Sequence, residues 1–240
     1  MTEANPYQAP ESVLATENAE SIGGSLERGL NGEYDFAIGS TIKKAWSLTK
    51  GFKRTYWGAA LIVVAVSVVF MLLGIPVKNN VALAIVVQII SYIVIYPLSA
   101  GFYMLSVRRA AGREVQAMEI TGYFNRTLKI FLLNVLMMVL VAVGLLLLVL
   151  PGLYLMVAYM FAVPLMIDKN MGVWAALEAS RKTVTHKWFS FFGVFFLVMI
   201  LVAVAAIPFG IGLIWVLPLV SLVFGVLYTQ ILGVEAEARE

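Results

Sequence analysis

The chain has 240 residues, 61% of them hydrophobic and only 13% charged. An ordinary soluble domain is about 45–50% apolar and about 25% charged. A protein this short has too much surface for its volume to hide that much apolar area in one core. A water-soluble globular domain and a disordered chain are therefore excluded, and an integral membrane protein is left. Cysteine is absent and the one histidine is His186. Disulfides, thiolate catalysis and Cys-ligated zinc or iron–sulfur clusters are excluded, and no metal or cofactor is expected.

The net charge of +3 is unevenly spread. Residues 1–35 carry seven acidic residues and Arg28, whereas residues 36–240 carry sixteen basic and seven acidic ones. The first stretch is rich in Glu, Ser, Asn and Gly, has no sustained apolar period, and reads as a disordered acidic cytoplasmic tail. It lacks the basic start, apolar middle and small-residue cleavage site of a signal peptide, so the first span is expected to act as an uncleaved anchor. Its turn-prone segment Asn5, Pro6, Tyr7, Gln8, Ala9, Pro10 reads either as a docking peptide or as ordinary solvated tail.

Crossing ~30 Å of hydrocarbon at ~1.5 Å per residue takes about 20 mostly apolar residues. Six stretches qualify: 56–75, 81–107, 130–150, 152–167, 188–207 and 211–233. The fourth is short for a full crossing. The fold class is thus all-α and integral to the membrane, with a six-span domain over 36–233 and a cytoplasmic C-tail over 234–240.

The termini and the loops 108–129 and 168–187 hold sixteen of the seventeen Lys and Arg residues, and the three short turns hold only Lys78. That asymmetry predicts that both termini are cytoplasmic. Trp57 and Trp188 lie beside basic residues at the inner boundary, and Trp215 near the outer one. The residues expected to meet anionic headgroups are Lys43, Lys44, Lys50, Lys53, Arg54, Arg108, Arg109, Arg126, Lys129, Arg181, Lys182 and Lys187. Nucleic acid is not expected, because these residues sit directly beside apolar spans.

The prolines suggest a repeat. Pro76, Pro151 and Pro208 mark the three turns, where a proline ring stops the outgoing helix. Pro97, Pro164 and Pro218 fall inside the returning spans, where each frees a carbonyl and introduces a kink. A basic, partly amphipathic segment precedes each hairpin. In the first, Ile42, Ala45, Trp46 and Thr49 share a face; in the third, Val173, Leu177 and Val184 do. The unit is an interfacial helix, a span, a turn and a kinked returning span. It recurs three times in the same direction, over 36–107, 113–167 and 172–233.

The span interiors hold no ionisable side chain. Their polar residues are Ser67, Gln88, Ser91, Asn134 and Ser221. Gln88 and Asn134 are the costliest to face lipid; they either line a cavity or bond between helices. Asp168 and Glu178 could join Glu114 or Glu119 around a cation, or pair with Lys169, Arg181 and Lys182. His186 reads as a pH sensor or as a structural boundary residue. No Walker loop, dinucleotide turn or His-Glu-x-x-His helix occurs.

The stretch Leu150-Pro151-Gly152-Leu153-Tyr154, the helix end Val163-Pro164-Leu165-Met166-Ile167-Asp168 and the following Gly172-Val173-Trp174-Ala175-Ala176-Leu177-Glu178-Ala179-Ser180 resemble YciC-like bacterial inner-membrane proteins. They are also similar to the membrane domain attached to some glycerophosphodiester phosphodiesterases. The resemblance is best over 130–233 and looser over 36–129. It implies a six-span bacterial inner-membrane protein of unassigned activity, and it carries over no catalytic residue.

The function expected from all this is a non-enzymatic scaffold or accessory protein contacting anionic lipid. The alternative is a pore or carrier for a small neutral solute or for lipid. An enzyme would have to draw on Asp168, Glu178, His186 and tyrosines at the cytoplasmic edge. A homo-oligomer or a membrane-protein partner is left open.

Overall fold

A computed structural model describes residues 21–235. Among them the helices are α1 (Leu26–Asn31), α2 (Ile38–Gly74), α3 (Val81–Ala110), a 3₁₀ segment (Ala117–Arg126), α4 (Thr127–Leu147), α5 (Val149–Ala158), α6 (Ala162–Asp168), α7 (Val173–Thr185), α8 (Trp188–Ala206) and α9 (Leu213–Leu232). Six helical stretches are long and apolar enough to cross a membrane: Ile38–Gly74, Val81–Ala110, Ala117–Leu147, Val149–Asp168, Trp188–Ala206 and Leu213–Leu232. The protein is an all-α multi-pass membrane protein.

The helix boundaries follow from local chemistry. In α2, Lys50 has ψ 120° and Gly51 has φ +83°, which separates a pre-span piece (38–49) from the span proper. Glycine has no Cβ and takes this φ without penalty. The 3₁₀ segment opens on a capping box, in which the Gln116 N–H donates to Glu119 Oε1 at 2.6 Å. Asn80 caps α3 by accepting from the Leu83 N–H at 3.1 Å.

The proline in each returning span leaves the carbonyl four residues earlier without its helical donor. Two of these carbonyls are closed by aromatic donors from other helices. Pro164 frees Met160, whose carbonyl accepts from the Tyr103 hydroxyl of α3 at 3.0 Å. Pro218 frees Ile214, whose carbonyl accepts from the Trp57 indole of α2 at 3.2 Å. Of the three returning spans, only the one with Pro164 is interrupted, between α5 and α6. There Ser180 of α7 bridges the gap, donating to the Ala158 carbonyl at 2.7 Å and accepting from the Phe161 N–H at 3.1 Å. Helices α3 and α9 run on through Pro97 and Pro218.

The core gathers towards the basic end of the bundle. It contains Phe52, Tyr56 and Ala59 of α2, Leu98, Met104 and Leu105 of α3, Phe161 and Leu165, and Leu222, Val226 and Tyr228 of α9. Close approach depends on glycine: a Cβ at Gly225 would overlap the Ser106 carbonyl, and one at Gly101 would overlap the Ile120 backbone. Small residues of this kind let membrane helices pack backbone to backbone. Towards the other end the first hairpin stands away from the bundle, with Leu61, Met71, Val81 and Ile89 all exposed.

Three placements differ from the sequence expectation. Residues 21–35 are not a free tail. Ile22 bridges to Val234, the Gly24 N–H donates to the Thr229 carbonyl at 3.0 Å, and the buried Tyr34 donates its hydroxyl to the Thr183 carbonyl. Single apolar residues anchor this strap, a pattern with no period to read. Residues 1–20, with the Asn5–Pro10 stretch, and residues 236–240 lie outside the described part. Trp215 does not sit apart from the basic residues, because the Lys53 ammonium lies 5.6 Å from its ring centroid. In the pre-span piece of α2, Thr41, Ala45 and Thr49 are buried while Trp46 is 55% exposed, so the inward face is rotated away from Trp46.

Candidate functional site at the basic end

A polar cavity of about 340 Å³ lies at the basic end where three helical elements and two connecting segments meet. Met104 and Arg108 come from the last turns of α3, Tyr123, Asn125 and Arg126 from the 3₁₀ segment, and Ile167 and Asp168 from the end of α6. Asn170 and Glu235 complete it from the connection after α6 and from the segment after α9. Asn170 has φ +47°, a left-handed conformation that Asn enters more readily than most side chains. The volume is within the range of about 300–1,000 Å³ usual for ligand pockets.

The charged groups around this cavity are held firmly. Arg108 pairs with Glu119 at 2.8 Å and lies 5.7 Å from the Tyr123 ring centroid. Arg126 donates to the Ile167 carbonyl at 2.8 Å. Asp168, buried at the end of α6, accepts from the Tyr228 hydroxyl at 2.8 Å and from the Glu235 N–H at 3.3 Å. The Lys169 ammonium stands 3.4 Å from Asp168 and 3.6 Å from Glu235. An ion pair taken out of water needs such additional hydrogen bonds to offset its desolvation. Two buried polar atoms of the lining residues, Arg108 Nε and Tyr123 Oη, have no partner.

The other basic residues fall into two groups. Arg109 donates to the carbonyls of Leu48 and Lys50 and so fastens the break in α2. Arg181 and Lys182 pair with Glu178 at 2.7 and 3.6 Å, and Lys187 pairs with Asp35 at 2.9 Å. The Arg181 bond holds the Glu178 carboxyl below the ordinary carboxylate range. Lys43, Lys44, Lys50, Arg54 and Lys129 are exposed, and among the described residues their side chains have no acidic partner. His186 Nε2 donates to the Leu30 carbonyl at 2.9 Å and so holds the strap.

The two amides singled out in the spans bond within their own helices. Asn134 donates to the Ile130 carbonyl at 2.8 Å. Gln88 donates to Ser91 at 3.3 Å, and with Ser67 and Lys78 it lines a cleft of about 580 Å³ between the halves of α2 and α3 far from the basic end. A groove of about 410 Å³ runs along Tyr56, Phe102, Tyr103, Leu217 and Phe224, beside the carbonyl freed by Pro164. No sequence motif marks the polar pocket as a site. Its members lie far apart in sequence, and only the return of α9 brings Glu235 to Asp168. Among the described residues no three or more His, Asp or Glu side chains gather to hold a metal.

No protein-family model, no curated protein and no solved structure matches the chain.

Proposed function

We propose that the protein is a non-enzymatic scaffold or accessory protein of the bacterial inner membrane, with both termini cytoplasmic, whose basic end engages anionic lipid headgroups. The observation that carries this reading is the unpaired cationic face around the break in α2. Lys43, Lys44, Lys50 and Arg54 are exposed there without acidic partners among the described residues, beside the exposed Trp46, while Thr41, Ala45 and Thr49 of the same piece are buried. Long cations reach the headgroup layer while their stems and an indole rest in the interface. Each basic residue near an anionic surface contributes about 1 kcal/mol.

The reading includes two further proposals. The kinship with YciC-like inner-membrane proteins rests on the motifs of residues 150–180. The threefold repeat is supported by the recurrence of a short basic segment before each hairpin, and by the shared way in which the carbonyls freed by Pro164 and Pro218 are closed. A second reading, a carrier for a small neutral solute or lipid, draws on the apolar groove beside Tyr103. Flux into proteoliposomes no faster than into empty vesicles would remove it.

The main proposal is tested by reconstituting the full chain in mixed vesicles and measuring its preference for phosphatidylglycerol over phosphatidylcholine with spin-labelled lipids. Neutralising Lys43, Lys44, Lys50, Lys53 and Arg54 to Gln together should abolish the preference. An undiminished preference in that variant would sink the reading.

A further inference from the structure

We infer that the polar pocket of Arg108, Arg126, Asp168 and Glu235 binds a phosphoethanolamine unit, a small zwitterion with a phosphate and a primary ammonium. The charges of its lining are balanced. The lining carries two guanidinium groups and two carboxylates. A simple anion would have to sit against Asp168 and Glu235, and a simple cation against Arg108 and Arg126. The complement of such a lining is a molecule with both charges and none in sum.

The unused hydrogen-bonding capacity agrees. On the donor side, Arg108 Nε and the hydroxyl of Tyr123, a residue only 7% exposed, are buried without partners. Guanidinium and phenol donors suit a phosphate oxygen. On the acceptor side, the Glu235 carboxylate reaches only Lys169 among the described residues, at 3.6 Å, and its side chain is 42% exposed. A primary ammonium has three protons to give to it and to the amide oxygens of Asn125 and Asn170, whereas a trimethylated ammonium has none. The apolar part of the lining, Met104 and Ile167, faces the methylenes that join the two charges.

The unit could arrive as the headgroup of phosphatidylethanolamine or as free phosphoethanolamine. The pocket lies at the ends of two apolar helices, α3 and α6, where the chain leaves its spans. This inference is independent of the unpaired cationic face on α2, which calls for net anionic lipid.

The test uses the full chain, reconstituted in nanodiscs with equal phosphatidylethanolamine, phosphatidylcholine and phosphatidylglycerol, then extracted in mild detergent and weighed intact with its retained lipid. Phosphatidylethanolamine should be retained over phosphatidylcholine by about tenfold, the ratio expected for one charged hydrogen-bond set. Glu235→Gln should remove that selectivity in a protein that still extracts monodisperse, although it also loses the charge pair with Lys169. Asn125→Ala, at an exposed position, should weaken it and serves as the second variant. Displacement of the lipid by added phosphoethanolamine identifies the free unit as sufficient, and resistance to displacement identifies the lipid as the source. Equal retention of the three lipids, or selectivity untouched in both variants, overturns the inference. Neutralising the α2 lysines should leave the selectivity intact, which separates its failure from failure of the anionic-surface reading.

Discussion

The first span and the sixth are both apolar helices, yet they occupy opposite situations. In the first, 6% of the most apolar 18-residue stretch is buried inside the protein; in the sixth, and equally in the fourth, 56% is. The order of hydropathy is reversed: the first span has a mean hydropathy of 2.5 and the third 2.9, against 1.9 for the fourth and the sixth. In water the most apolar segment would be the most buried. In a bilayer lipid tails are as apolar as leucine, so the central helices are chosen by small residues, aromatic packing and hydrogen-bonding groups. The fourth span (Val149–Asp168) and α9 supply these through Gly225, Phe161, Tyr228 and the two carbonyls freed by proline.

The largest test of this contrast compares Phe161→Ala with Leu72→Ala. Phe161 is fully buried and Leu72 is 54% exposed. Thermal or denaturant unfolding in detergent should show a loss of about 3–5 kcal/mol for the first and within about 0.5 kcal/mol of no change for the second. Equal losses would mean that the half of the first hairpin far from the basic end has a partner within the fold.

A smaller effect is expected from glycine. A Cβ at Gly225 meets the Ser106 backbone, whereas one at Gly74 meets nothing within 4 Å. Gly225→Ala should cost about 1–3 kcal/mol by overpacking. Gly74→Ala should leave the protein monodisperse and its melting temperature unchanged or raised.

Smaller again is the stitch at Met160. Tyr103→Phe removes the donor to that carbonyl, and Pro164→Ala restores a helical N–H to it. A double-mutant cycle should therefore give a coupling of about 0.6 kcal/mol, the average for hydrogen bonds between membrane helices. Strict additivity would show that the tyrosine acts only through packing.

The smallest effect concerns the strap rather than the bundle. The hydrogen bond from Lys187 holds the Asp35 carboxyl below the ordinary aspartate range. The pairing therefore contributes above the unfolded value of about 3.9 and is lost as pH falls through the lower folded value. Protection of the amides of residues 33–36, corrected for the intrinsic pH dependence of exchange, should fall on acidification below about pH 4. The loss of protection should be absent in Asp35→Asn, and buried amides of α9 should not follow it. An identical acid response in that variant would exclude the pair as its cause.

Much of the fold is legible in the sequence because its causes are local. Twenty-residue apolar stretches, the Lys and Arg at one set of ends and the prolines at the turns are each read without knowing the neighbours. The pocket and the strap are not local. Asp168 gives no sign of Tyr228 and Glu235, which lie some sixty residues on, and Leu30 gives none of His186. The rotated face of the piece before Gly51 has the same origin. Periodicity finds an apolar side there, but Ile42 and Trp46 compete with Thr41 and Ala45 for the inward position, and packing against the core decides. The lower hydropathy of the fourth and sixth spans was the one sequence signal of centrality, visible once lipid rather than water is taken as the solvent.

The strap also fixes an order of events. Its contacts lie with residues that leave the ribosome much later: Tyr34 waits for Thr183, Leu30 for His186, and Gly24 and Ile22 for Thr229 and Val234. Since translation runs from the N-terminus, the segment made early is the one that must close late, from Tyr34 outward to Ile22. A nascent chain halted before α9 should leave residues 21–25 open to protease, and the released chain should protect them. The opening lines of the polypeptide thus act as the clasp on a finished bundle, fastened only when the last helix has arrived.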